Sequence, residues 1–190
     1  MGRCSDGKNH KWGQPFWQSI GQYKKCEKCG TTVSLLTSRS DRASGVAYGL
    51  NSIVDKLNDI VSETEEKESE KETEELPKEP PVTQPLETLT TITVPKEFID
   101  ILSDAQSEVE SLRDEMDDWA SNMEGTSLEN TEKYQTVSEA RDTLDDLSSR
   151  LSDVSLEEEF EDVSELEDII SELEDISSEL ESVEFPSMYG

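Results

Sequence analysis

Apolar residues are scarce in this chain of 190: 32% are hydrophobic and 6% aromatic. So thin a composition excludes one large core and leaves room for one or two small domains. No run of about 18 apolar residues occurs, so nothing is expected to span a membrane. The opening MGRCSDGKNHKW lacks the apolar stretch of a secretory signal, and signal-peptide secretion is not expected. Asp6 stands where an N-myristoylation pattern needs Ser or Thr. Histidine is limited to His10, and no Ser/His/Asp set or glycine-rich phosphate loop occurs. The many carboxylates fall on polar helix faces, with no apolar surroundings to raise a pKa. An enzyme is therefore not expected. Cysteine is limited to three residues, all within the first 29. That odd, clustered set argues against a disulfide framework and for a reduced metal site.

Cations are the other shortage. The chain has 17 Lys and Arg against 46 Asp and Glu, a net charge of −29. Residues 1–42 carry eight basic and three acidic side chains, net +5. Residues 43–97 carry five and thirteen, net −8, and residues 98–190 carry four and thirty, net −26. No Lys or Arg follows Arg150. Such asymmetry points to separate modules. Over most of the surface it opposes binding to a nucleic-acid backbone and favours basic protein partners or very salty solvent.

The basic end holds Cys4, His10, Cys26 and Cys29, as C-x5-H and C-x2-C-G with fifteen residues between. Zn²⁺ takes four N or S ligands in a tetrahedron, and closed four-ligand sites are structural. The Cys26-x-x-Cys29 turn lets two thiolates point at one ion. Gly30 follows where the chain bends back, a place suited to positive φ. Three thiolates and a neutral imidazole around the ion total about −1. Lys11, Lys24, Lys25 and Lys28 offset that charge and lower the thiol pKa values. One structural Zn²⁺ is the expected cofactor. A redox Cys-x-x-Cys is the competing reading, but it needs a thioredoxin-like βαβ setting that this segment lacks. Catalytic zinc needs an open coordination position, and all four candidate ligands are used. Trp12, Phe16, Trp17 and Tyr23 lie in the same segment. Aromatics beside lysines can stack on nucleic-acid bases. The plainer reading is that so small a module covers its metal with large side chains.

The pattern C-x5-H-K-W…C-x-x-C-G, over residues 4–33, resembles the small zinc ribbons of phage and prophage genomes. It is carried here by Cys4, His10, Trp12, Cys26, Cys29 and Gly30. The resemblance implies a metal-stabilised β-hairpin module, placed at residues 1–36, and a viral origin. It implies no activity.

Val46, Leu50, Ile53, Leu57 and Ile60 recur at spacings of four and three. That is the apolar stripe of an amphipathic helix over 43–62. Alone it is marginal and needs a partner; Gly45 and Gly49 weaken its start. Residues 63–96 read as an acidic, Pro-rich linker. Its first half can continue the helix as a solvated rod. Pro77, Pro80, Pro81 and Pro85 make an extended spacer. LETLTTITV, 86–94, has β propensity and suits an edge or docking strand.

Residues 97–184 carry three apolar seams with coiled-coil spacing. The first is Phe98, Leu102, Ala105, Val109, Leu112, Met116, Trp119 and Met123. The second is Val137, Ala140, Leu144, Leu147, Leu151 and Val154. The third is Leu166, Ile169, Leu173, Ile176, Leu180 and Val183. Pro95 suits a first turn, and Gly125 a stop. Thr126-x-x-Glu129, Ser155-x-x-Glu158 and Ser164-x-x-Glu167 match the capping box. The twelve residues from Val154 to Leu166 break the heptad register and place a break near 155–163. Three helices are expected, about 97–123, 128–154 and 164–184, and short connections favour antiparallel neighbours.

The expected fold class is mainly α. It has a small N-terminal zinc ribbon, a disordered or extended acidic Pro-rich linker, and a C-terminal acidic antiparallel three-helix coiled-coil bundle. A parallel oligomer of the last helix is the rival arrangement. Glu165, Glu172 and Glu179 of that helix have no basic partner at hand, and like charges at i,i+4 add repulsion. Molar salt or a basic partner relieves it. In its evenly spread acid the chain beyond the ribbon resembles acidic coiled-coil segments of halophile-type proteins. The tail at 185–190, with Phe185, Met188 and Tyr189, reads as a frayed end or a hydrophobic cap, or else as a docking peptide.

The function expected from this is structural: a non-enzymatic adaptor whose zinc module docks on a protein partner and whose acidic coiled coil mediates homo- or hetero-oligomeric assembly. A virion component of a virus of a halophilic prokaryote fits it, in the virion or the host cytoplasm. The alternative is an acidic DNA mimic or a regulator of nucleic-acid machinery. Nucleic acid is not an expected ligand.

Overall fold

Burial follows the apolar seams. A computed structural model describes residues 9–74 and 91–186, apart from the side chains of 67–74. Cys4, the proline-rich part of the linker at 75–90, and the tail beyond Pro186 lie outside the described residues. Strands β1 (Trp12–Gln18), β2 (Gly21–Cys26) and β3 (Thr32–Ser34) form an antiparallel sheet in chain order. Four helices follow among the described residues: α1 (Arg39–Glu74), α2 (Lys96–Met123), α3 (Glu132–Asp153) and α4 (Val163–Ser182). Two short strands, β4 (Ile92–Thr93) and β5 (Glu159–Phe160), pair antiparallel beside them. No helix among the described residues is long and apolar enough to cross a membrane.

The bundle has four helices where three were expected, because α1 joins it. α1 packs on α4 and α2; α3 packs on α2 and, less closely, on α4. The helices therefore form a ring in the order α1, α2, α3, α4. Ion pairs fix their directions. Arg42 reaches Glu108 and Glu115 while Lys56 reaches Glu97, so α1 and α2 run antiparallel. Arg113 with Asp145 and Arg141 with Asp117 set α2 against α3 in the same way. The stripe of 43–62 is wider than one seam. Ala43, Ala47, Val54 and Val61 are buried beside Val46, Leu50, Ile53 and Leu57. A helix facing two neighbours needs that wider stripe. α1 also runs on through Glu74 and takes in the acidic first half of the expected linker. The linker thus joins two helices of one bundle and does not hold the sheet apart from it.

The other seams are buried nearly as expected. In α2, Ala120 takes a core place and Trp119 is half-buried beside it. In α4, Ile170 is buried and Ile169 half-buried. Phe185 packs partly buried against the core. The break near 155–163 is present, but the caps are not the expected boxes. Thr131 caps α3, its Oγ1 accepting from the Tyr134 N–H at 3.3 Å. Asp162 caps α4, accepting from the Ser164 N–H at 2.9 Å. Thr126 and Glu129 instead close a turn, with Glu129 Oε2 accepting from the Gly125 N–H at 2.9 Å. Pro95 is the N-cap residue of α2 rather than part of its first turn. Gly125 has φ 68 just past the end of α2, the left-handed position where glycine ends helices.

Glu172 and Glu179 do have a basic partner, which corrects the expectation for that face. Arg150 of α3 donates to both, at 2.7 and 2.8 Å. The cation comes from the neighbouring helix, where periodicity along α4 cannot show it.

The sheet meets the bundle through its β1–β2 turn. Ile20 of that turn packs against the core. A Cβ on Gly45 would overlap the Ile20 carbonyl oxygen, and one on Gly49 would come within 2.7 Å of Ile20 Cγ2. The two glycines, one helical turn apart on α1, are the seat of the turn. Ser19 Oγ donates to Asp104 Oδ2 of α2 at 2.7 Å. Trp17 stacks on Tyr48 of α1 with ring centroids 4.3 Å apart.

Candidate metal centre

The site begins with strand register. β1 and β2 pair with Trp12 opposite Cys26, so the residues just before Trp12 lie beside the end of β2. There the chain reverses. The Gly30 N–H donates to the Cys26 carbonyl at 2.9 Å, and the Cys26 N–H donates to the Thr31 carbonyl at 2.8 Å. The Glu27 N–H donates to the Lys11 carbonyl at 2.8 Å and ties the turn to the approach of β1. Gly30 has φ 74, the conformation that its place after the second cysteine calls for.

His10, Cys26 and Cys29 come together there. Their ligand atoms all lie within 4.8 Å of one another, close enough to hold a metal ion. Cys29 Sγ is 3.3 Å from His10 Nδ1. Tetrahedral ligands at zinc's bond lengths stand about 3.5 Å apart, so little movement is needed to close on an ion. Cys26 is buried; His10 and Cys29 are half-buried. Among the described residues this is the one such gathering of His, Cys, Asp and Glu. Cys4, the fourth expected ligand, lies outside the described residues.

The surroundings hold the three in place. The His10 ring stacks on Trp12 with centroids 4.8 Å apart. Thr31 Oγ1 and Cys29 Sγ share a hydrogen bond at 3.2 Å, a contact that sequence reasoning missed. The one available sign was a hydroxyl two residues after Cys29. Lys11 pairs with Glu27 at 2.5 Å, so one of the four nearby lysines is partly neutralised. Hydrogen bonding to Cys26, opposed by burial and aided by Cys29, holds His10 above its ordinary pKa. A metal ligand must be neutral imidazole, so protons and a metal ion compete for this site.

The Cys-x-x-Cys sits in a turn between two strands and not at a helix N-terminus. It therefore lacks the helix dipole that helps lower the thiol pKa in redox pairs. The aromatics turn largely to packing: Trp12 to His10, Phe16 to Tyr23, Trp17 to Tyr48. No family model, curated protein or solved structure matches this chain.

Proposed function

We propose that Cys4, His10, Cys26 and Cys29 hold one structural Zn²⁺ in a ribbon-like head, and that the protein is a non-enzymatic structural or adaptor component. The observation that carries this reading is the convergence of His10, Cys26 and Cys29 within 4.8 Å on a sheet seated against the bundle. Thiolates and imidazole are the donors that suit zinc. A third thiolate from Cys4 closes the tetrahedron and leaves no position for substrate. A three-stranded sheet this small cannot bury enough apolar surface to hold itself, and the ion takes the place of a core.

The bundle supplies the rest of the argument. All five described arginines reach a carboxylate on a neighbouring helix. Arginines are thus spent inside the fold while most carboxylates face solvent, a surface suited to high salt. A virion component of a virus of a halophilic prokaryote combines such a surface with a metal-stabilised head. The test is elemental analysis together with light scattering, in low salt and in about 2 M salt. One zinc per chain and assembly beyond the monomer in high salt are expected. A folded, metal-loaded monomer under both conditions would overturn the structural reading in favour of the acidic DNA mimic.

A further inference from the structure

Two surfaces of opposite character lie on opposite sides of the ring of helices. The first is on the head. Strand register sets Pro15, Lys24 and Val33 directly across from one another, and Trp17 follows Pro15 on the same face. Trp17 is 42% exposed, Val33 39%, and Tyr48, stacked on Trp17, 50%. Four of the five exposed large apolar residues among those described are on or against this sheet, Trp12 being the fourth. Such a gathering marks a contact surface, where scattered exposed residues would not. Lys24 on that face and Lys28 of the turn that follows β2 give it positive charge, whereas Lys25 alternates to the other face; neither Lys24 nor Lys28 has an ion pair among the described residues.

The second surface is a groove between the end of α3, β5 and the start of α4. α3 and α4 are the most loosely packed neighbours in the ring, which opens the groove there. Val154, Phe160 and Ile169 contribute its apolar lining; Glu157, Glu159, Glu161, Glu165 and Asp168 its acid. None of those carboxylates has an ion pair among the described residues. The cation in the groove, Arg150, is already bonded to Glu172 and Glu179. The head sits on α1 and α2, through Gly45, Gly49 and Asp104. The groove lies on the α3–α4 side of the ring, and the head of the same chain does not fill it.

We propose that the groove takes the head of a second copy of this chain, a contact that rests on the structural reading above and names its partner. Lysines meet carboxylates, and the Trp17–Val33 face meets the Phe160–Ile169 lining. The contact joins two different surfaces, so each copy keeps a head and a groove for further copies. It repeats into an open chain and does not close as a symmetric dimer. Salt distinguishes this partner from an unrelated basic protein. Copies of net charge −29 repel at long range. Molar salt removes that repulsion, while partly buried pairs are screened much less. Self-assembly therefore grows with salt, whereas capture of a basic stranger weakens with it.

The experiment is light scattering of the full, zinc-loaded chain from about 0.1 M to about 2 M salt. The wild type should be monomeric at low salt and grow in mass with protein concentration at high salt. Lys24→Glu/Lys28→Glu and Glu159→Lys/Glu161→Lys should each stay monomeric at high salt. An equimolar mixture of the two should regain growth, because each reversed surface then finds its match. Zinc content and helical circular dichroism confirm that the variants fold. Val33→Asp, farther from the metal ligands, should also lose assembly if Lys28→Glu disturbs the site. Wild-type growth in either reversed variant, or no recovery in the mixture, would overturn the proposal. An assembly of fixed mass, untouched by the reversals, would overturn it and leave the structural reading standing. A monomer at every salt concentration would overturn both.

Discussion

Gly30, at φ 74 with its N–H on the Cys26 carbonyl, shapes the turn that carries Cys26 and Cys29. A side chain there costs on the order of 1 kcal/mol of backbone strain. Gly30→Ala should weaken zinc binding about tenfold in competition with a chelator. An unchanged affinity would show that the turn does not position the sulfurs. Cys26→Ser should abolish stoichiometric zinc while the helical signal persists, since the helices bury their own core. Glu115 offers a test on the bundle side. Burial pushes its carboxyl up, but hydrogen bonds from Arg42 and Arg39 outweigh burial and hold it below the ordinary carboxylate value. A depressed carboxylate stabilises the fold above its unfolded pKa, and that stability is lost as pH falls through the folded value. Glu115→Gln should therefore cost up to about 1 kcal/mol at pH 7, partial exposure limiting the figure. Its deficit against wild type should shrink below about pH 4. Denaturant melts at both pH values decide it, and a deficit of equal size at each would refute the assignment.

At the scale of elements, the seams were legible because apolar spacing reports which face of a helix is buried. The gathering of His10, Cys26 and Cys29 was legible for a related reason. Cys26-x-x-Cys29 is a local pattern, and His10 stands out as the single histidine. What the sequence hid was non-local. Nothing in 43–62 says that its partner helices begin at Lys96 and Val163, beyond a linker that looks like a boundary. Arg150 could not be matched to Glu172 without knowing that α3 lies beside α4. The caps failed differently, because three Ser/Thr-x-x-Glu matches compete with Thr131 and Asp162, and only packing chooses between them. Gly45 and Gly49 are the most instructive case, since helix propensity counts them as a defect and the Ile20 turn makes them a seat. Gly45→Leu should consequently lift the head from the bundle. The expected signs are loss of the Trp17–Tyr48 stacking signal in near-ultraviolet circular dichroism and faster proteolysis of residues 9–37, with far-ultraviolet helicity intact. A variant whose head stays protected would mean that the turn finds another seat.

For the whole molecule the question is which electrostatic effect governs stability. The arginines bridge α1 to α2, α2 to α3 and α3 to α4. α1 and α4 are tied by the hydrogen bond that Ser177 Oγ donates to Asn51 Oδ1 at 2.8 Å. Salt weakens the bridges and so lowers stability. Salt also relieves repulsion among 46 acidic side chains set against 17 basic ones. The bridging arginines are about 22–30% exposed, so their pairs are screened less than the solvated carboxylates around them. Repulsion is both the more numerous effect and the more exposed one, and its relief should win. The thermal midpoint should rise continuously from about 0.1 M to about 2 M sodium chloride. Arg150→Ala should lower it most at about 0.1 M and less at about 2 M, because salt screens the repulsion between the unbridged Glu172 and Glu179. A midpoint that is flat or falls with salt would mean that the bridges dominate, and that the −29 is an adaptation to a basic partner and not to brine.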